Sequence, residues 1–223
     1  MSYDIRPIAS GQWLPDRCLR MRGGFDPRQA PPEAGCERLQ GWFTHGNRDR
    51  LVALYEDCLL LHGCCGFVAW DGPLVVGYNT FFPRDWAPTR AVPGREGRQP
   101  GTLHHHCISV VEGEQVGEEA IAARLIRHTL DWARHNGWER FEVQAVLPTN
   151  PACRRALGVH NRAFWERLGL RPVEENDPGR PFDVIRSAAA IEGVRIETEA
   201  DADAYHPDWR SEAIHYTMAI DLR

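Results

Sequence analysis

The spacing of apolar positions changes several times along this chain, and the changes mark its elements. YDIRPI (3–8) alternates and predicts a first strand. Leu51, Leu54 and Tyr55 fall on one side of a helix predicted over 46–60. CGFVAW and PLVVGYNTFF are two β-rich runs joined at Asp71-Gly72, which predicts a hairpin. LHHHCISVV (103–111) predicts another strand. The period then lengthens: Ile121, Ala122, Leu125, Ile126, Trp132 and Ala133 share one helical face. Arg124, Arg127, Asp131, Arg134 and His135 fall on the other, and Asn136-Gly137 supplies the stop. FEVQAVL (141–147) predicts a buried strand, and NRAFWERLG (161–169) a short helix capped by Asn161. LRPVEE and EAIHYTMAIDL (212–222) predict the last two strands.

The segments between these elements carry weaker signals. QWLPDRCLRMRG predicts a short helix, and the prolines and glycines of 24–36 a loop. Residues 83–102 form a Pro/Gly/Arg loop of the length usual for lids or disordered segments. Within 176–212, DVIRSAAAIEGV reads as helical and IETEADADAYHPD as an acidic loop. The expectation is one domain over 1–223, with insertions at 83–102 and at 176–212 before the last strand.

Composition narrows the function classes. The 223 residues are 43% hydrophobic and 26% charged, which suits a globular chain with a real core. A net charge of −5 without a basic tail argues against nucleic-acid binding. The apolar runs are too short to span a bilayer, so no membrane partner is expected. The start, with Asp4 and Arg6, lacks the apolar core of a signal peptide. The seven cysteines are odd in number and unpaired in spacing, so reduced thiols and a cytoplasmic location are expected. All 26 basic residues are arginine. Without lysine there is no Walker-type phosphate loop and no Schiff base. The arginine bias itself reads as that of a GC-rich, bacterial-type genome.

The order of elements resembles the GNAT superfamily of acyl-CoA-dependent N-acetyltransferases, over nearly the whole chain. IRPI resembles the family's first strand, FVAWDGPLVVGY its second and third, and CISVV with AIAARLIRHTLDWARHNGW its pyrophosphate-binding motif. NRAFWERLGL resembles the late helix–strand piece, and YTMAIDL the last strand. The resemblance implies a single GNAT-like domain: an α/β fold with a mixed sheet whose central strands splay apart. It implies acetyl-CoA as cosubstrate and direct N-acetylation of an amine on a small molecule or peptide. The alternative is a non-catalytic GNAT-like module that binds acyl-CoA or a protein partner. Homodimerisation is left open.

The resemblance also assigns roles. A helix start leaves backbone N–H groups unpaired and carries partial positive charge, so it can hold a pyrophosphate. The matching positions are Gly117, Glu118, Glu119, Ala120, Ile121 and Ala122. Ala122 fits the final small position, Ala120 stands for the usual glycine, and Gly117 for a Gln or Arg. Ile108 and Val110 would face the pantetheine arm and supply the N–H that polarises the thioester carbonyl. Asn161 would cap its helix and touch the cofactor, a role Asn150 also suits. Trp165 stands where the family often carries a tyrosine acid, and either packs on the cofactor or belongs to the core. His104 and His106, on one face of their strand, are the candidate amine bases; His105 falls on the other face. Tyr78 and Glu112 are weaker acceptor-site candidates. Adjacent residues on one strand cannot converge on an ion, so no metal is expected from His104–Cys107.

Overall fold

The computed structural model describes residues 3–10, 45–86, 101–110, 121–146, 160–176, 181–212 and 214–223. The predicted 12–23 helix, the 24–36 loop, Glu112 and Asn150 lie outside them. So do the candidate residues Gly117, Glu118, Glu119 and Ala120.

Seven strands form one mixed sheet in the order β1-β2-β3-β4-β5-β7-β6. They are β1 (Asp4–Pro7), β2 (Gly66–Asp71), β3 (Leu74–Pro83), β4 (Thr102–Val110), β5 (Arg140–Val146), β6 (Arg171–Asn176) and β7 (His215–Asp221). Among the described residues six α-helices accompany them: α1 (His45–His62), α2 (Ile121–His135), α3 (Arg162–Arg167), α4 (Pro181–Ile191), α5 (Glu199–Tyr205) and α6 (Trp209–Glu212). Contacts divide the described residues into two compact units, one up to Glu142 together with Asp221–Arg223, the other from Val143 to Ile220.

The first unit holds an antiparallel meander. β1 pairs β2, β2 pairs β3 and β3 pairs β4, with Asp71 opposite Leu74 across the predicted hairpin. Gly72 takes φ +56° in that turn, a conformation that costs a residue with a Cβ. The chain leaves β4, runs through α2 and returns as β5 parallel to β4, pairing Thr102 with Arg140, Leu103 with Phe141 and His104 with Glu142. A helical crossover is the usual way to join parallel neighbours. The predicted face of α2 is the buried one: Ile121, Ala122, Leu125, Ile126 and Ala133 are all enclosed. Each large side chain so buried contributes about 1.5–3 kcal/mol. On the opposite side of the sheet, Tyr55 and Cys58 of α1 join Ile8, Cys65, Val68, Tyr78 and Phe82 in a second core.

The second unit corrects one expectation. The acidic 197–203 stretch is not loop: Glu199–Tyr205 is helix α5. Thr198 accepts from the Asp201 amide, and Asp201 accepts in return from the Thr198 amide. This reciprocal cap satisfies two helix-start donors and is worth about 1 kcal/mol. Ala202 then packs with Ile185, Ala188, Ala189, Ile196 and Trp209 in a small core. The acidic residues hid a helix because their roles are capping and ion pairing: Arg210 bridges Asp203 at 2.9 Å and Glu199 at 2.6 Å. The helix read from DVIRSAAAIEGV is α4.

Candidate functional site

In the first unit, β4 presents its histidines alternately. His104 and His106 both stand against the Phe82 ring, with centroids 5.6 Å and 5.3 Å away, and His106 also meets Tyr55 at 6.3 Å. His105 faces the other way, onto Phe141 at 5.9 Å. The predicted division of the three imidazoles between two faces is what the strand shows, since successive side chains alternate.

The face carrying His104 and His106 is polar chemistry set among rings. The Tyr55 hydroxyl bonds the Thr80 hydroxyl at 2.9 Å. Burial pushes the Tyr55 phenol well above its ordinary pKa, so it stays neutral. Burial lowers His106 to about 4. Burial, then the Arg84 guanidinium and His106, lower His104 to about 3. Both rings are therefore neutral near neutral pH, and as isolated bases both bind a proton weakly.

Next to His104, across the parallel strand pair, stands Glu142. This carboxylate is 1% exposed. Arg140 Nε donates to its Oε1 at 3.0 Å, and Arg84 Nε, in the 3-10 turn Arg84–Trp86, lies 3.4 Å from its Oε2. A buried carboxylate needs such partners to offset its desolvation. Arg140 reaches Asp221 as well, at 3.3 Å. Sequence reading missed Glu142 and Arg84. Glu142 left one trace: a lone acid between apolar residues in FEVQAV. Arg84 left none among so many arginines.

The start of α2 is seated against the far end of β4. Ile121 and Ala122 are fully enclosed, as is Val110, and Ile108 is 2% exposed. Gly77 of β3 pairs with Val110. A Cβ at Gly77 would come within 2.8 Å of Ile121 Cγ2 and 2.9 Å of Val110 Cγ1. The missing side chain lets the helix start lie directly on the sheet. Because the side chains of Ile108, Val110, Ile121 and Ala122 are committed to the core, these positions have only backbone groups to offer a ligand.

The remaining candidates lie in the second unit or in the core. Asn161 caps α3, its Oδ1 accepting from the Phe164 amide at 3.0 Å. Trp165 is 1% exposed and packs edge-on against Phe164 at 5.0 Å and His160 at 6.1 Å. Tyr78 is buried beside Cys107, its oxygen 4.0 Å from the sulfur. Cys58 and Cys64 are pushed up by burial to about 12 and about 11, and Cys65 is raised by the same cause. These thiols are not thiolates at neutral pH. Among the described residues no group of three His, Cys, Asp or Glu side chains could hold a metal ion. No helix there is long and apolar enough to cross a membrane.

No protein-family model and no curated protein matches the chain. Solved structures do. A GNAT family acetyltransferase from Elizabethkingia anophelis, with acetyl-CoA bound, is 11% identical over 98% of this chain and 97% of its own, with a TM-score of 0.49. An N-acetyltransferase from Staphylococcus aureus is 13% identical over 100% of both chains, also at 0.49. An IAA acetyltransferase from Bacillus cereus is 16% identical over 99% of both, at 0.47. At such identities and TM-scores these likenesses carry no argument about activity or substrate; they record that the chain is similar to acetyltransferases of this kind.

Proposed function

We propose that the chain is an acetyl-CoA-dependent N-acetyltransferase that passes an acetyl group directly to the amine of a small molecule or peptide. The observation that carries this reading is the seat of α2. Its first turn rests on Gly77 and Val110 at the end of β4, at the head of a parallel strand–helix–strand crossover. That is where unpaired amides and the positive end of a helix suit an anion such as a pyrophosphate.

In this reading the backbone of Gly117, Glu118, Glu119, Ala120, Ile121 and Ala122 holds the pyrophosphate. The backbone of Ile108 and Val110 lines the pantetheine arm and polarises the thioester carbonyl. In the second unit, Asn161 Oδ1 serves the cap of α3 and Trp165 is enclosed beside Phe164 and His160, so neither is given a part in this site. The face bearing His104 and His106 receives the amine, and an imidazole takes its proton. Both rings are unprotonated near neutral pH, as a base must be, and their depressed pKa values make them weak bases unless a neighbouring group assists.

Acetyl-CoA binding by calorimetry tests the reading, with desulfo-CoA as a control against reaction with thiols. Saturable binding of both is expected, and Ala120→Asp should weaken it at least tenfold while the circular dichroism spectrum stays the same. Absence of binding to the folded protein would overturn the transferase reading and leave a GNAT-like module without cosubstrate.

A further inference from the structure

His104 and Glu142 face each other from paired positions of β4 and β5, and each has one enclosed atom to spare. His104 Nδ1 is buried and accepts or donates no hydrogen bond among the described residues. Glu142 Oε2 is likewise buried and takes part in none, although Arg84 Nε stands 3.4 Å away as an ion pair. Buried polar atoms are nearly always hydrogen-bonded, so two such atoms on neighbouring side chains need an account. Paired residues on adjacent strands project to the same face at a backbone spacing of about 4.8 Å. The terminal torsions of both Glu and His are soft, so small rotations bring Nδ1 and Oε2 together at little cost.

We propose that Glu142 is the positioning carboxylate of His104: its Oε2 accepts the Nδ1–H of the imidazole and leaves Nε2 as the nitrogen that takes the proton of the acceptor amine. This rests on the transferase reading for its substrate, but not for its geometry. In the step, R–NH3+ gives one proton to Nε2, yielding R–NH2 and an imidazolium whose charge faces the carboxylate. Burial, Arg84 and His106 all oppose a positive charge on this ring, and Oε2 brought onto Nδ1–H would offset part of that opposition. Among the described residues, the other groups named at this site do not supply the missing anion. Tyr55 of α1 is neutral, Arg140 is cationic and Asp221 is engaged by Arg140. The parallel register brings Glu142 opposite His104, which on this account is the principal base.

The test is long-range 1H–15N NMR of the histidine rings in the ligand-free, full-length protein, with His104 identified by the signal lost in His104→Gln. The expected result is the Nδ1–H tautomer for His104 in the wild-type protein. In Glu142→Gln its titration midpoint should fall by about one unit. The acid limb of kcat/KM should move with it, and Glu142→Asp should recover part of the shift. An Nε2–H tautomer in the wild-type protein overturns the inference even if Glu142→Gln does not fold, and so does an unchanged titration in that variant. The two readings fail separately. An Nδ1–H tautomer in a protein that binds no acetyl-CoA removes the transferase reading and keeps the pair. Acetyl transfer by a protein with an Nε2–H His104 does the reverse.

Discussion

The two faces of β3 and β4 in the first unit are built from similar residue types to opposite ends. On the α2 side, Asn79 and Thr129 form a closed polar cluster. Asn79 donates to the Thr129 hydroxyl at 2.6 Å and accepts from the Phe67 amide at 3.2 Å, and Thr129 donates to the Leu125 carbonyl at 3.0 Å. Around them Phe67, Phe81 and Trp132 pack ring on ring. On the α1 side, rings pack as well, but the polar groups include two imidazoles held neutral and a carboxylate with an oxygen left over. A closed network fixes structure. A polar group buried without its partner weakens structure, and such groups concentrate where chemistry is done. On the proposed reading, the α2 side supplies stability and the α1 side the chemistry.

Substitutions can break that comparison. The largest expected effect is on the α2 side: Leu125→Ala, at a fully buried position, should cost about 2–5 kcal/mol in urea unfolding while the turnover of the folded fraction stays near wild type. Asn79→Ala strands the Thr129 hydroxyl and the Phe67 amide, and should cost about 1–3 kcal/mol. If either variant instead lost turnover at full stability, the division of labour would be wrong.

Acid sharpens the contrast. His104 and His106 have folded-state pKa values depressed to about 3 and about 4, below the unfolded imidazole near ~6.5. Protonation therefore favours the unfolded chain. Their contribution is fully present above pH ~6.5 and is lost as pH falls from there toward 4. His106→Gln should flatten the fall in unfolding free energy over that window; an unchanged acid limb would count against the desolvation of this half-buried ring. The smallest effect belongs to the second unit, where Thr198→Ala should cost about 1 kcal/mol through the lost cap and leave acetyl-CoA binding alone.

Much of this was legible in the sequence. Helical period located α2, which buries one consistent face, while β-rich runs and the Asp71-Gly72 turn located β2 and β3, whose residues are buried on both faces. The split of His104 and His106 from His105 followed from strand alternation. Helix α5 was hidden because Glu199, Asp201 and Asp203 look like solvated loop until Thr198 and Arg210 are seen to use them. Glu142 and Arg84 were hidden for a different reason. Their pairing joins a residue of β5 to the turn after β3, a contact of long sequence separation that no local pattern encodes. The pyrophosphate segment was assigned by its place in the strand order, and four of its six residues lie outside those described.

The close approach at Gly77 has a mechanical consequence. Strand β3 is a fulcrum: a side chain at this point would press at once on the first turn of α2, through Ile121, and on the end of β4, through Val110. A single methyl there would act as a shim, tilting the helix start away from the strand. The local fold could absorb such a tilt through side-chain repacking, but the proposed cosubstrate site, made of backbone groups, has no rotamers with which to follow. Tolerance at Gly77 therefore measures how rigidly the helix start and the strand end must be held together, separately from how much stability their packing contributes.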